Sequence, residues 1–400
     1  MAFNVTDAAF VLKNTYAKKL QAQVSRDRKL LSHMRRVGGF TGTGTHYVAV
    51  RHSNPQSIGG VFATAQTNAG NSDGEQFAVT RVMKYGVTTL AGEFLLSCDD
   101  DEGAFVRGVK EAMDSLSDEF GHRMSIDCYG TGNGYIGQRA SISSGTVTLA
   151  VADDAKNFQV GMYVTASDND GSLSARTGTT YVTKVDEDAG TVTLADQSQL
   201  SSFSNDDYLY PAGDKGAVIK GLQAWIPKAA PTSGTTFFGV ERTNDVARLA
   251  GSRVTDTALP LEEAILNLCT LLQKRGSKAK HGYLNPLKWN LLQKKLGAKI
   301  VRDQGGQGVM GFEALEVATP IGPINFYSDP DCPLTAGWII DHRGCFLKHV
   351  GELPHIVMDD GNKVQRQASA DGIELRMRAG WQMVFDAPAW SGCMSLSSSY

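Results

Sequence analysis

The chain has 400 residues, 42% of them hydrophobic, enough for roughly two to three domains with sizeable cores. Its 39 basic and 42 acidic residues leave a net charge of -3, which argues against a globally basic nucleic-acid binder and leaves only local patches to consider. There is no run of about eighteen apolar residues, so no membrane-spanning helix is expected, and the first residues lack the charged-then-apolar order of a secretory signal. The six cysteines (Cys98, Cys128, Cys269, Cys332, Cys345, Cys393) form no C-x-x-C and are read as scattered reduced thiols.

In chain order, residues 1–36 read as an amphipathic helix. Thr6 can cap it, and Phe10, Ala17, Leu20, Val24, Leu31 and Met34 recur at near-helical spacing. Its polar face holds Lys13, Lys18, Lys19, Arg26, Arg28, Lys29, Arg35 and Arg36 against only Asp7 and Asp27. The arm thus carries +6 and the rest of the chain -9. It either packs on its own domain or docks on an acidic partner.

Two β-like runs follow, THYVAV with Arg51 and His52, and FAVTRVMKYGVTTLAGEFLL. The polar, glycine-rich stretch between them makes the pair a long ribbon. A two-stranded ribbon cannot bury a core alone, so it must lie on its own chain or on a neighbour. Next, Asp99, Asp100, Asp101 and Glu102 place negative charge at a helix start, where it complements the dipole. Phe105, Val109, Met113, Leu116, Phe120 and Met124 give that helix one apolar stripe, on the order of 40 Å long.

Residues 141–212 alternate Val, Thr, Tyr and small residues, and the string Gly-Thr-Val-Thr-Leu-Ala occurs twice, at 145–150 and 190–195. Two equivalent strands of one small inserted barrel or sandwich explain the repeat. Two helices follow, LEEAILNLCTLLQKRG behind Pro260 and NPLKWNLLQKKLG with Asn285 as cap. Strand-like runs complete the chain: FEALEVATPI, PINFYS, GWIIDHRGCFLKHV and GIELRMRAGWQMVFDAPAW. The order of helices and strands is not βαβ alternation, so the expected fold class is α+β.

Chemical motifs are sparse. Gly132-Asn-Gly134-Tyr-Ile-Gly137 matches G-x-G-x-x-G but follows a helix and precedes strands, the reverse of a dinucleotide loop, so it reads as a hinge into the insert. Cys332, His342, Cys345 and His349 lack a zinc half-site and read as strand and turn residues. Asp168-Asn-Asp170-Gly171 is half a calcium loop without its first or last ligand, which a β-turn explains better. No nucleophile elbow, P-loop or H-E-x-x-H occurs. No catalytic residue, metal or cofactor is expected, and the chain reads as a structural protein rather than an enzyme.

This order of parts resembles the major capsid (coat) protein of tailed bacteriophages, whose fold is shared with the floor domain of herpesvirus capsids. The resemblance rests on 1–36 as N-arm, 45–96 as extended loop and 99–129 as spine helix. HGYLNPLKWNLLQKKLG (281–297) resembles the helical part of the axial domain, and IELRMRAGWQMVFDAPAW (373–390) the long peripheral-domain strand. It implies an N-terminal arm over 1–44, an extended β-hairpin loop over 45–98, a spine helix of the peripheral domain over 99–140, an inserted all-β domain over 141–212, and axial plus remaining peripheral strands over 213–400.

The implied function is a self-assembling capsid subunit that forms pentamers and hexamers around double-stranded DNA, with DNA contacted only non-specifically and no membrane involved. Assembly would occur in the host cytoplasm and the product would be the virion shell. Because the chain begins almost at the arm, a separate scaffolding protein is expected, docking on Lys13, Lys18, Lys19, Arg26 and Arg28; portal and decoration proteins are further implied partners. Arg51, Arg81 and Lys84 are expected to face a neighbour's Asp99, Asp100, Asp101 and Glu102. The rival reading is a cell-surface or adhesin-type β-rich binding protein, suggested by the insert and by the Gly, Ser and Thr content.

Overall fold

The computed structural model describes residues 28–40, 44–91, 102–171, 175–296, 315–357, 364–367 and 371–398, with backbone only over 102–109 and at 296 and 364. The predicted Phe105 and Val109 side chains, and all of 1–27, lie outside the described residues. Chain order begins with α1 (Lys29–His33) and β1 (Arg35–Gly38). The ribbon strands β2 (Thr45–Ser53) and β3 (Asp73–Thr80) carry α2 (Phe62–Thr67) at their tip, and β4 (Val82–Ala91) follows. The 28-residue α3 (Glu102–Tyr129) is the spine, about 42 Å at 1.5 Å per residue.

The second predicted β-run is not one strand. Thr45 to Arg51 pair with Thr80 to Gly74 in the ribbon, but Val82 to Ala91 leave it to pair with the C-terminal strand Gly372–Phe385. The ribbon therefore ends at Thr80 rather than 98. Residue 81 is where the chain changes sheets, because beyond it alternate side chains must face the spine. Gly86 lies directly under that helix, where a Cβ would come within 3.0 Å of Phe120 and 3.1 Å of Leu116. Phe120 and Met124 enter the main core, and Met113 packs with Leu375 and Leu90.

After α3 the chain enters a closed barrel of β5 (Gly137–Ser143), β6 (Thr146–Leu149), β7 (Tyr163–Ser167), β8 (Thr180–Asp186), β9 (Thr191–Leu194) and β10 (Tyr208–Pro211). The strand order is β10-β5-β6-β9-β8-β7. The repeated hexapeptides form its centre, with Val147 opposite Val192 and Thr146 opposite Thr193. Leu149 N–H donates to the Gly190 carbonyl at 3.1 Å and Leu194 N–H to the Gly145 carbonyl at 3.0 Å, one the two-fold image of the other.

The relation runs further than the identical residues. At the same spacing, Phe158 and Phe203 N–H donate to the carbonyls of Ala155 and Leu200, and Tyr163 and Tyr208 open β7 and β10. Both outer hairpins are bulged at the matching point, between Arg139 and Ser141 and between Val182 and Lys184. The barrel is therefore two copies of one three-stranded unit. It begins at Gly137, four residues before the expected boundary, because β5 is needed to close the ring against β10.

The return linker leads to α4 (Leu222–Trp225), β11 (Thr236–Phe237), β12 (Val240–Glu241), α5 (Val246–Ala250), β13 (Ser252–Val254), α6 (Leu261–Lys274), β14 (His281–Leu284) and α7 (Pro286–Leu296). The last strands are β15 (Leu315–Thr319), β16 (Gly322–Ser328), β17 (Ala336–Ile340), β18 (Cys345–Ile356), β19 (Val364–Arg366), β20 (Gly372–Phe385) and β21 (Gly392–Ser395). One sheet runs β1-β18-β20-β19 with β4 also on β20, and is covered by the spine. The other runs β13-β21-β17-β14-β16-β15 and is covered by α6 through Leu261, Ile265, Leu268 and Leu272.

The run GWIIDHRGCFLKHV splits between these sheets. Asp341 accepts from the Arg343 amide and Gly344 N–H donates to the Asp341 carbonyl, so the chain turns there and His342 lies in the turn, not on a strand. The G-x-G-x-x-G stretch is the join between barrel and body. Gly132 and Gly134 have φ of +83° and +89°, and a Cβ would meet Lys220 Cδ at 2.1 Å and the Asp214 carbonyl at 2.6 Å.

Gly134→Ala should accordingly destabilise the chain well beyond Gly213→Ala, whose φ is +88° but whose added Cβ would meet nothing within 4 Å. The latter should cost about 1–3 kcal/mol for backbone strain alone. Denaturation midpoints compare the two, and equal losses would show that the linker contact adds nothing.

Candidate assembly surfaces

The ribbon has two halves with different surroundings. At its base Val48, Val50, Phe77 and Val79 are buried, Phe77 meets Trp225 with ring centroids 5.3 Å apart, and Ala78 N–H donates to the Phe238 carbonyl. Farther out, Arg248 donates to the His52 carbonyl and Asn244 to Glu75. So the base lies on its own chain, over residues 222–250. Beyond Ser53 and Asp73 this support stops. None of residues 54–72 is buried, yet the tip carries Ile58 at 94% exposure, Val61 at 63% and Phe62 at 80%. The tip helix α2 buries no residue.

A second open surface is the face of β4 turned away from the spine, where Tyr85 and Val87 are exposed opposite Arg378 and Arg376. Arg51 and Arg81 are exposed on the ribbon and at its end. Lys84 is different. Its Nζ sits 2.6 Å from Asp127 and 3.3 Å from Asp214, with the side chain 13% exposed. Burial alone would lower its pKa, but the two carboxylates outweigh that and raise it, so the ammonium is locked. It ties β4 to the spine helix and to the barrel linker, and is not available to a neighbour. Asp99, Asp100 and Asp101 lie outside the described residues, as does the side chain of Glu102 at the start of α3.

The third surface is the seat of the N-terminal segment. Of the five basic residues expected to dock a scaffold, Lys13, Lys18, Lys19 and Arg26 lie outside the described residues. Arg28 is already engaged, its Nε 3.3 Å from Asp331. His122 Nε2 approaches the other oxygen of Asp331 at 3.3 Å, and Glu119 takes a hydrogen bond from Arg123 at 2.8 Å. Burial would lower the His122 pKa, but Asp331 and Glu119 push it up to about 9. Burial would raise Glu119, and His122 and Arg123 bring it down to about 2. Asp329 Oδ2 accepts from Leu30 N–H and from Tyr129 Oη, both at 3.0 Å. The sequence hides this seat, because the two bonds that join at Asp329 Oδ2 span 200 and 299 residues; Ser-Asp-Pro-Asp at 328–331 signals only a turn.

No family model and no curated protein matches the sequence. The structure does match solved ones. A chain of the Cyanophage A-1(L) capsid asymmetric unit aligns over 93% of this chain and 93% of its own, at 10% identity and a TM-score of 0.52. The capsid chain of an empty GTA particle covers 92% and 96% at 9% identity and 0.44, and a Microbacterium phage Oxtober96 chain 93% and 91% at 10% and 0.44. The α+β fold with its long spine helix is thus a phage capsid fold, shared with the cyanophage capsid chain.

Removing the locked ammonium tests the tie between β4 and the spine helix. Lys84→Met should cost about 3–5 kcal/mol by leaving buried Asp127 without its cation, whereas Arg51→Ala should change stability by no more than about 0.5 kcal/mol; urea midpoints separate the two. For the seat, the raised His122 pKa means a contribution complete below pH 6.5 and lost as pH rises through about 9. The Glu119 contribution is complete above pH 4.5 and lost as pH falls through about 2. His122→Gln should therefore remove an alkaline stability loss on the order of 3 kcal/mol between pH 6 and 10, and an unchanged pH profile would rule the network out.

Proposed function

We propose that this chain is the structural subunit of a viral capsid, an icosahedral or prolate shell of pentamers and hexamers enclosing double-stranded DNA. The observation that carries this reading is the ribbon: a base anchored on its own chain and an apolar tip that none of the described residues buries. A head-to-tail contact in which that tip lies on the next copy closes into rings, and rings of five and six tile a shell. A likeness of fold to phage capsid chains supports the reading, while nothing in the fold favours an adhesin.

In this reading the chain acts by assembly and not by catalysis. Arg51 and Arg81 meet the acidic run Asp99–Glu102 of an adjacent copy; such exposed pairs are worth under about 1 kcal/mol each and matter by repetition. The basic segment holding Lys13, Lys18, Lys19 and Arg26 docks a separate scaffolding protein, with Arg28 anchoring its root to Asp331. Portal and decoration proteins complete the particle, DNA is held non-specifically, and the shell is built in the host cytoplasm.

Expression with candidate scaffold genes, followed by negative-stain microscopy and sedimentation, tests this. The wild-type chain should give shells, tubes or five- and six-membered rings. The double variant Ile58→Asp/Phe62→Asp should give unassembled subunits with stability within about 0.5 kcal/mol of the parent. Wild-type monomers in every condition, or shells from the double variant, would overturn the proposal.

A further inference from the structure

The seat of α1 has a second side, made of three histidines around one phenol. His33 on α1, His281 on β14 and His342 in the β17–β18 turn lie with ring centroids 5.0, 5.1 and 6.3 Å apart. Tyr283 stands between them, its hydroxyl 2.9 Å from His33 Nδ1 and 2.8 Å from His342 Nε2. Tyr327 closes the cluster, 4.6 Å from the His33 ring and stacked at 5.7 Å on His281. The phenol oxygen takes the place at which two imidazole nitrogens converge, and among the described residues no group is arranged to hold a metal ion.

This arrangement accommodates one proton pattern. A phenol has one hydrogen to give, so it donates to one imidazole nitrogen and accepts from the N–H of the other. If both histidines became imidazolium, both would donate to the same oxygen and the phenol hydrogen would lose its acceptor. The second nitrogen of His342 offers no relief, nor does Nδ1 of His281. His281 Nδ1 and His342 Nδ1 are both buried without a hydrogen-bond partner, so a proton gained there is an orphan donor.

The surrounding charges are largely spent or of the wrong sign. Lys280 lies beside His281. Asp341, the acid set against His342, is held by the Arg343 guanidinium and the Lys278 amide. Asp329 stands beyond Tyr283 and serves Leu30 and Tyr129, and Lys29 and Arg28 add positive charge from α1 itself. Burial first, then the neighbouring His281 and His33, bring the His342 pKa down to about 3; burial and Lys280 lower His281.

We propose that the His33–His281–His342 cluster is a proton-operated latch that holds the α1 segment on the β14–β16–β17 sheet at neutral pH and releases it under acid. The sign follows from linkage. Groups with depressed histidine pKa values take up protons more readily once α1 has lifted, so docking weakens as pH falls below 6.5. Asp329, pushed up to about 6 mainly by burial, gains its proton in the same range and acts in the opposite sense, since its buried charge then disappears. The latch needs no shell and holds in the isolated full-length chain, so its test is independent of the assembly reading.

Hydrogen–deuterium exchange of the full-length chain, corrected for intrinsic rates, reads the latch directly. Protection of the 30–34 amides should fall about tenfold or more between pH 7.5 and pH 5, with barrel peptides unchanged. His281→Asn/His342→Asn should abolish that difference. Equal protection at both pH values, or the same loss in the double variant, would overturn the proposal. If the double variant does not fold, imidazole C2–H exchange in the wild type decides: a His342 midpoint below pH 5 supports the latch, and one near 6.5 refutes it.

Discussion

Asp329 is fully buried, and one of its oxygens accepts both the Leu30 amide at the start of α1 and the Tyr129 hydroxyl at the end of the spine helix. Its other oxygen accepts from the Asp331 amide in its own turn. A single carboxylate thus joins the root of the N-terminal segment, the spine and the six-stranded sheet. Ionised carboxylates are costly to bury, and here the Leu30 and Asp331 amides and the Tyr129 hydroxyl offset that cost. Around it lie Leu30, Leu31, Met34, Tyr129, Tyr283 and Trp338, all in one apolar cluster that also reaches the five-stranded sheet. The two sheets share a core because this junction holds them at one place.

The same economy explains the unfinished parts. Wherever a segment can reach the shared core it is anchored: Phe77 on Trp225, Gly86 under Phe120, Lys84 between two aspartates. Where it cannot, as over residues 54–72, apolar side chains stand exposed, with no cover among the described residues. Exposed clusters of large apolar residues rimmed by polar ones are characteristic of surfaces that meet another molecule. The chain divides its apolar residues between one packed body and an open limb, along a boundary set by Ser53 and Asp73.

Much of this was legible in sequence wherever the signal was local. Helical spacing located the spine, Asn285-Pro286 marked the start of α7, and the doubled hexapeptide pointed to equivalent strands. Signals failed where the deciding partner was distant. Nothing in Thr80-Arg81-Val82 says that one extended run serves two sheets, since both halves alternate alike and only pairing with β20 separates them. Lys84 looked like any exposed cation because Asp127 and Asp214 lie far along the chain. The full duplication was hidden too, because outside Gly-Thr-Val-Thr-Leu-Ala the two halves share shape and register but few identities. Backbone geometry, down to a matching bulge, tolerates side-chain drift that erases a repeat from the sequence.

The join at Gly132 and Gly134 has a consequence for how such a chain can change. The outgoing linker rests on the returning one: Lys220 Nζ donates to the Gly132 carbonyl and Gly216 N–H to that of Asn133. Entry to and exit from the barrel are therefore side by side, and the 75-residue ring from Gly137 to Pro211 meets the body elsewhere through a few side-chain bonds, Asn285 Nδ2 to Asp153, Lys156 Nζ to the Cys332 carbonyl and Gln159 Nε2 to Glu119. A module attached in this way is a cassette. Its two ends are close enough for a short bridge to span them, and the body would then lose only the bonds to Asp153, Lys156 and Gln159. The join is thus a port at which surface can be added to the chain with its two ends already held together.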